Sequence, residues 1–405
     1  MKATKVLIAL VSVFLTVSVA WSSPASGLHP TRYVLDNGMV VIFQQNHTMP
    51  LVSLNILVRS GGMYEDASTN GLSHFYEHMF FRGTPSRTGI EIKQDLEGLG
   101  GSTNAETSKD FTHFFVNMPS THTREGLAIL ADALMNANFD PKNIDLERNA
   151  VLDEYRMDQE EPGQIMQADL YGKAFPDHPY RLPVIGTEAN IKRFEQADFL
   201  AWKAKYYVPE RTALVVVGDF DPDQLLPYVK DLFKDWKSAG IKVDPVAQDQ
   251  PIDKIRELSE TRDLNNGYVL LGFHSPSVKD KPDIYAVDVM TFLLGQGEGC
   301  LAQKVLVDKK SVASEASADF LTQRDPGLII LEADTTPAQL SQAKQALLDL
   351  IEEVRHDQFS AADFARAKNL LTNTYVMDNE TDAGKADGLG FYEMIDRADF
   401  ATSYL

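Results

Sequence analysis

The segment GLSHFYEHMFFRGT, Gly71 to Thr84, places two histidines four residues apart with a glutamate beside the second. On a helix, positions i, i+3 and i+4 share one face, so His74, Glu77 and His78 project the same way. Two imidazoles so spaced can bind one zinc ion through neutral ring nitrogens, and zinc lowers the pKa of the water it holds to about 7. A neighbouring carboxylate can then take the proton as that water attacks a carbonyl. Chance produces H-x-x-E-H about 0.01 times in a chain of this kind. The plain alternative is two satisfied histidines on a helix surface. A zinc site also needs a third protein ligand. The stretch from Asp140 to Glu161 offers Glu147 and Glu154, seven residues apart and hence on one face of a single helix. One can be a ligand and the other can orient it or tune its basicity. Taken alone, such a pair more often marks a solvated helix face.

These residues need elements to hold them. Asp36-Asn37-Gly38 is a turn signal between two β-rich runs, and LVSLNILVRSG alternates as a half-buried strand does. The pattern turns helical from Gly71 and again in IEIKQDLEGLGG. STNAETSKDFTHFFVNMP reads as strand, turn, strand, and TREGLAILADALMNANF as an amphipathic helix. Asp140-Pro141 resembles an N-cap followed by proline in the first turn, opening the helix that carries Glu147 and Glu154, which Pro162-Gly163 breaks. ADFLAWKAKYYVP is another helix, TALVVVGDF an apolar strand and PDQLLPYVKDLFKDW a closing helix. From about Lys237 to Ile255 the chain is rich in Pro, Asp and Gln without a period, as a linker is. Beyond it the order of elements recurs: strand, helix, helix (LAQKVLVDKK), two strands and two long helices. This predicts an α+β chain of two homologous domains, residues 28–240 and 250–405, each a mostly antiparallel sheet packed with helices. The second domain is expected to be C-terminally short, because nothing in it corresponds to TALVVVGDF and its following helix.

The 405 residues suit two or three domains, and the net charge of −20 argues against nucleic acid as a partner. Residues 1–20 read as a secretory signal peptide: Lys2 and Lys5 precede an apolar core, Val6 to Val17, too short to span comfortably, and small residues follow. The expectation is export to the periplasm or outside the cell, with no stable membrane insertion after cleavage. One cysteine, Cys300, allows no intrachain disulfide and is given no role.

HFYEH is also the inverted zinc motif of the inverzincins. The chain resembles the pitrilysin-like metallopeptidases, the family that includes mitochondrial processing peptidase and insulin-degrading enzyme, over roughly Tyr33 to Phe400. LDNGMVVIF, GGSTNAETSKDFTHFFVNMP, HPYRLPVIGTEANI, YYVPERTALVVVGDFD and ERNAVLDEYRM all look like family blocks. The resemblance implies Zn2+ held by His74, His78 and Glu154, with Glu77 as the base and Glu147 as a supporting carboxylate. It implies that Asn104 and Ala105 lie on a substrate-binding edge strand, where backbone groups pair with an extended peptide. From the single sequence, a turn residue is an equal reading of Asn104. His178, in a block that looks structural, is read as packing or hydrogen-bonded. The implied function is a zinc endopeptidase acting through a metal-activated water on extended peptides or small unfolded proteins. Two alternatives stay open: a non-catalytic subunit, and a catalytic half that works with a homologous partner chain, as homodimer or heterodimer. In several relatives the second domain supplies an Arg and a Tyr to the substrate carbonyl; GCLAQKVLVDKKSVASEASA has neither in a matching place.

Overall fold

The structure is a computed structural model and describes residues 29–404 apart from 239, 241–244 and 357. The segment expected to be a signal peptide, residues 1–20, lies outside the described residues. The Asp36-Asn37-Gly38 turn, with Gly38 at φ +91°, joins β1 (Thr31–Val34) and β2 (Val40–Gln45) into a hairpin. β3 (Leu51–Val58), α1 (Leu72–Met79) and α2 (Gly89–Gly98) follow, α2 opening on a capping box between Thr88 and Glu91. Next come β4 (Ser102–Thr107), β5 (Thr112–Pro119), α3 (Thr123–Asn136) and α4 (Pro141–Glu160). The Asp140 side chain caps α4 through the Lys142 N–H, with Pro141 in the first turn. The first half closes with α5 (Pro162–Ala174), α6 (Glu188–Arg193), α7 (Gln196–Tyr206), β6 (Thr212–Gly218) and α8 (Pro222–Phe233). Its six strands form one sheet in the order β1-β2-β6-β3-β5-β4, antiparallel except for β2 beside β6.

Among the described residues no helix or strand lies between Phe233 and Gly267, the span that contains the expected linker. The second half runs β7 (Gly267–His274), α9 (Lys281–Gly295), β8 (Glu315–Phe320), β9 (Leu328–Thr335), α10 (Leu340–Arg355), α11 (Ala361–Asp378), α12 (Asp382–Ile395) and α13 (Asp399–Ser403). Its sheet is β7-β9-β8, all antiparallel. Cys300 is buried in this half's apolar core. No described helix is long and apolar enough to cross a membrane.

Three local expectations change. Pro162 ends α4 but opens α5 at once, because a proline in the first helical position lacks an N–H that would be unpaired there anyway. LAQKVLVDKK is helical, but residues Gln303–Lys309 are wound as a π-helix. β3 is not half-buried: Val52 to Val58 are buried throughout. One face of the sheet packs under α1, α3 and α7 through Val41, Phe43, Leu54, Ile56, Phe114 and Val116. The other, bearing Val40, Ile42, Leu57, Ala213, Val215 and Val217, is covered by Ala386, Leu389 and Met394 of α12. The alternation of polar and apolar residues in β3 therefore marks two kinds of interior, not inside and outside.

The crossing is reciprocal. α12 of the second half lies on the first sheet, and α5 of the first half lies on the second, with Leu170 against Gly272 of β7 and Phe175 in one cluster with Leu328 of β9. A Cβ on Gly272 would stand 2.9 Å from Leu170, so glycine is what lets the helix approach. Polar groups fasten the same seam. Arg32 of β1 donates twice to the Glu393 carboxylate, at 2.8 and 3.0 Å, and Arg59 donates to the Met394 carbonyl at 3.0 Å. His178 accepts the Tyr180 N–H at Nδ1, which leaves Nε2 to donate to Asp325 of the second half at 3.2 Å. That bond holds the Asp325 carboxyl down at about 2. His178 is thus a buried, hydrogen-bonded residue. Beside it, the Tyr180 hydroxyl donates to Asp110 at 2.6 Å, and burial pushes that carboxyl up to about 6.

Candidate active site

The motif helix α1 begins at Gly71, at φ +93° and with no side-chain cap of its own. The missing acceptor comes from outside the helix. The buried Glu65 carboxylate accepts the Gly71 N–H at 2.9 Å, the Ser73 N–H at 2.7 Å and the Asn70 side-chain amide at 3.0 Å. A carboxylate there also meets the positive end of the helix dipole. Burial raises the Glu65 pKa, and the backbone hydrogen bonds oppose that rise. The position of α1 is fixed by a glycine pair: a Cβ on Gly186 would lie 2.5 Å from the Gly71 Cα, and Gly186 is at φ +89°. Asn190, just beyond, donates to the Ala67 and Asn70 carbonyls at 3.0 Å each. The VIGTEAN stretch is therefore the seat of the motif helix.

From that seat α1 packs against α4, and the two carry the site. His74 Nε2 lies 3.5 Å from Glu154 Oε1, and His78 Nε2 lies 3.3 Å from Glu154 Oε2. One donor atom from each of the three residues falls within 4.8 Å of the others. Ligands about 2.1 Å from a tetrahedral zinc stand roughly 3.4 Å from one another. Two imidazoles and a carboxylate with that spacing fit the ion. His74 Nδ1 is buried without a hydrogen-bond partner, so packing and whatever Nε2 binds hold the ring. Glu147 is not in the trio. Its Oε2 lies 3.5 Å from His78 Nδ1, and its Oε1 forms an ion pair with Arg82 Nε at 2.9 Å, so it steadies the second histidine from behind.

The electrostatics agree with that division. Burial alone would lower the His78 pKa, but Glu147 and Glu154 outweigh it and raise it to about 9. The same histidines hold the Glu154 carboxyl well below the usual range. Carboxylates and imidazoles so placed favour a positive charge among them. Glu77 stands apart from the donor trio. Its Oε2 accepts the Thr107 hydroxyl of β4 at 2.7 Å.

The remaining sequence candidates lie close by in the chain. Asn104 and Ala105 are on β4, the last strand of the sheet, which pairs only with β5 and leaves its outer edge open among the described residues. Sequence reasoning missed Glu65, Arg82 and Thr107. Strand alternation puts Thr107 on the face of Ala105, a signal that could have been read. That α1 opens on glycine without a capping side chain points to a remote acceptor, but nothing in the sequence says which residue supplies it.

Comparison with known proteins bears on this geometry. Residues 40–188 match the model of the insulinase family, peptidase family M16, and residues 193–371 match that of the peptidase M16 inactive domain. The chain belongs to peptidase family M16. A Bacillus subtilis protein named an uncharacterised zinc protease is 25% identical over 368 residues, spanning 90% of this M16 chain and 88% of that protein. An Arabidopsis thaliana protein named a probable mitochondrial-processing peptidase subunit beta is 25% identical over 370 residues, 88% of this chain and 68% of that one. Among solved structures, a protease from Helicobacter pylori superposes with a TM-score of 0.87 at 23% identity, covering 93% of this chain and 92% of its own. A Pseudomonas fluorescens structure described as a peptidase M16 inactive domain gives 0.80 at 18% identity, covering 93% and 90%. The M16 fold is thus present in both halves.

Proposed function

We propose that the chain is a zinc endopeptidase acting on extended peptides or small unfolded proteins, exported to the periplasm or beyond the cell. The observation that carries this reading is the convergence of His74, His78 and Glu154 from two helices, with Glu77 beside them and outside the donor set. When bound, zinc supplies a Lewis acid that polarises the scissile carbonyl and lowers the pKa of a water. The chain does the rest. His74, His78 and Glu154 hold the ion, and Glu147 keeps the His78 ring in register through Nδ1. The Thr107 hydroxyl occupies Glu77 Oε2 and leaves Oε1 to take the proton of the attacking water and return it to the leaving amine. The open edge of β4 at Asn104 and Ala105 lets a substrate join the sheet as an added strand.

The test is Glu77→Gln. It should keep its zinc, counted by elemental analysis, and lose peptide cleavage by a factor of about 10²–10⁴. A variant that cleaves at the wild-type rate refutes the assignment. A relative named as a subunit, and the lack of a matching Arg and Tyr in the second half, support a second reading: a chain that needs a homologous partner. Size-exclusion chromatography with parallel assays of the chain alone decides between them. Cleavage by the chain alone removes the partner requirement.

A further inference from the structure

A second cluster of metal-ligating side chains lies on the opposite face of the sheet from α1. Glu106 of β4, His113 of β5 and Asp387 of α12 bring one donor atom each within 4.8 Å of the others. His113 is buried, whereas both carboxylates keep more than half of their side-chain surface exposed. The protonation of the ring is set by its surroundings. His113 Nε2 faces Asn55 Oδ1 at 2.8 Å, and the Asn55 amide nitrogen is spent on Ser53 Oγ at 2.9 Å. The Asn55 oxygen is therefore an acceptor, and Nε2 must carry the N–H. Nδ1 faces Glu106 Oε1, 3.0 Å away, and Asp387 Oδ1, 3.6 Å away. A ring nitrogen between two anionic oxygens calls for positive charge there, which a proton on Nδ1 or a bound cation supplies. Among the described residues neither carboxylate pairs with a lysine or an arginine.

We propose that Glu106, His113 and Asp387 form a second divalent-cation site, separate from the one at His74, His78 and Glu154. Donor distances of 3.0 and 3.6 Å bracket the roughly 3–3.4 Å between neighbouring ligands of an ion about 2.1 Å from each. One imidazole and two carboxylates select a transition cation such as Zn2+ or Mn2+ over Ca2+ or Mg2+. The Asn55 bond to Nε2 is the outer support that ligating histidines ordinarily have. The open sides of the two carboxylates leave room for water to complete the shell. The site joins two strands of the first half to a helix of the second. It also neighbours Thr107, the residue that holds Glu77, on the same strand.

Zinc is the probe, and the readouts are bound metal per chain after dialysis and the melting temperature with and without zinc. The wild type should bind two equivalents and the His74→Ala/His78→Ala chain one. Adding Glu106→Gln and Asp387→Asn to that chain should leave none and abolish its zinc-dependent rise in melting temperature. A folded His74→Ala/His78→Ala chain that binds no zinc overturns the proposal. So does an equivalent that survives the two carboxylate changes, because the bound zinc then lies elsewhere. If the His74→Ala/His78→Ala chain does not fold, the comparison is wild type against Asp387→Asn. A fall of one equivalent supports the site, and an unchanged count overturns it. The proposal does not depend on peptidase activity: a chain without zinc at His74 would still lose one equivalent on Asp387→Asn.

Discussion

At the residue scale, the site consists of two kinds of side chain. His74, Glu77 and His78 were legible because spacing places them at i, i+3 and i+4 on one helix face, whereas Glu147 and Glu154, seven residues apart on another helix, took their roles from the family resemblance. Thr107 and Glu65 were not, because each acts across a gap in sequence that only the folded chain closes. Thr107→Val removes the hydroxyl that fixes Glu77 while preserving shape. It should lower kcat about tenfold and leave KM near its wild-type value, since the bond positions the base and touches no substrate. Steady-state kinetics on one peptide decide it. A fall in kcat/KM that resides wholly in KM would contradict a positioning role.

At the element scale, the motif helix has no cap of its own and is held by contacts at its start. Helix and strand types followed from periodicity, and most were legible. The exceptions have physical causes. α5 was hidden because proline breaks one helix and starts the next in adjacent positions. The π-wound turn at Gln303 leaves no mark in a helical pattern. The seat of α1 makes a sharp prediction. Gly186→Ala puts a methyl where the Gly71 Cα stands, in a backbone conformation that alanine resists. It should cost roughly 3 kcal/mol or more of stability and lower zinc affinity, although residue 186 touches no ligand. Urea unfolding and zinc titration measure both. Loss of stability with unchanged zinc affinity would show that α1 does not depend on this seat.

At the scale of the whole molecule, two similar halves were legible as a repeated order of elements, but their exchange of helices was not. β3 reads as half-buried because nothing in its own sequence reveals that α12, more than 300 residues later, covers its second face. The seam also sets a response to acid. His178 holds the Asp325 carboxyl at about 2, below its ordinary 3.8. A carboxyl depressed by folding contributes stability above its unfolded pKa and loses it as pH falls through the folded one. The seam should therefore weaken as pH drops from about 4 to about 2. In chelator-treated protein, unfolding midpoints between pH 5 and pH 2 should fall less steeply for Asp325→Asn than for wild type. Equal slopes would remove Asp325 from the account. The exchange of helices also has a consequence for synthesis. Arg32 leaves the ribosome 361 residues before its partner Glu393. At about 5–20 residues per second, translation keeps them apart for roughly 20–70 s. From the synthesis of Val217 to the end of that interval, the apolar face of Val40, Ile42, Val215 and Val217 has no α12 to cover it. The nascent chain therefore exposes this apolar face after the residues proposed to bind zinc are already made.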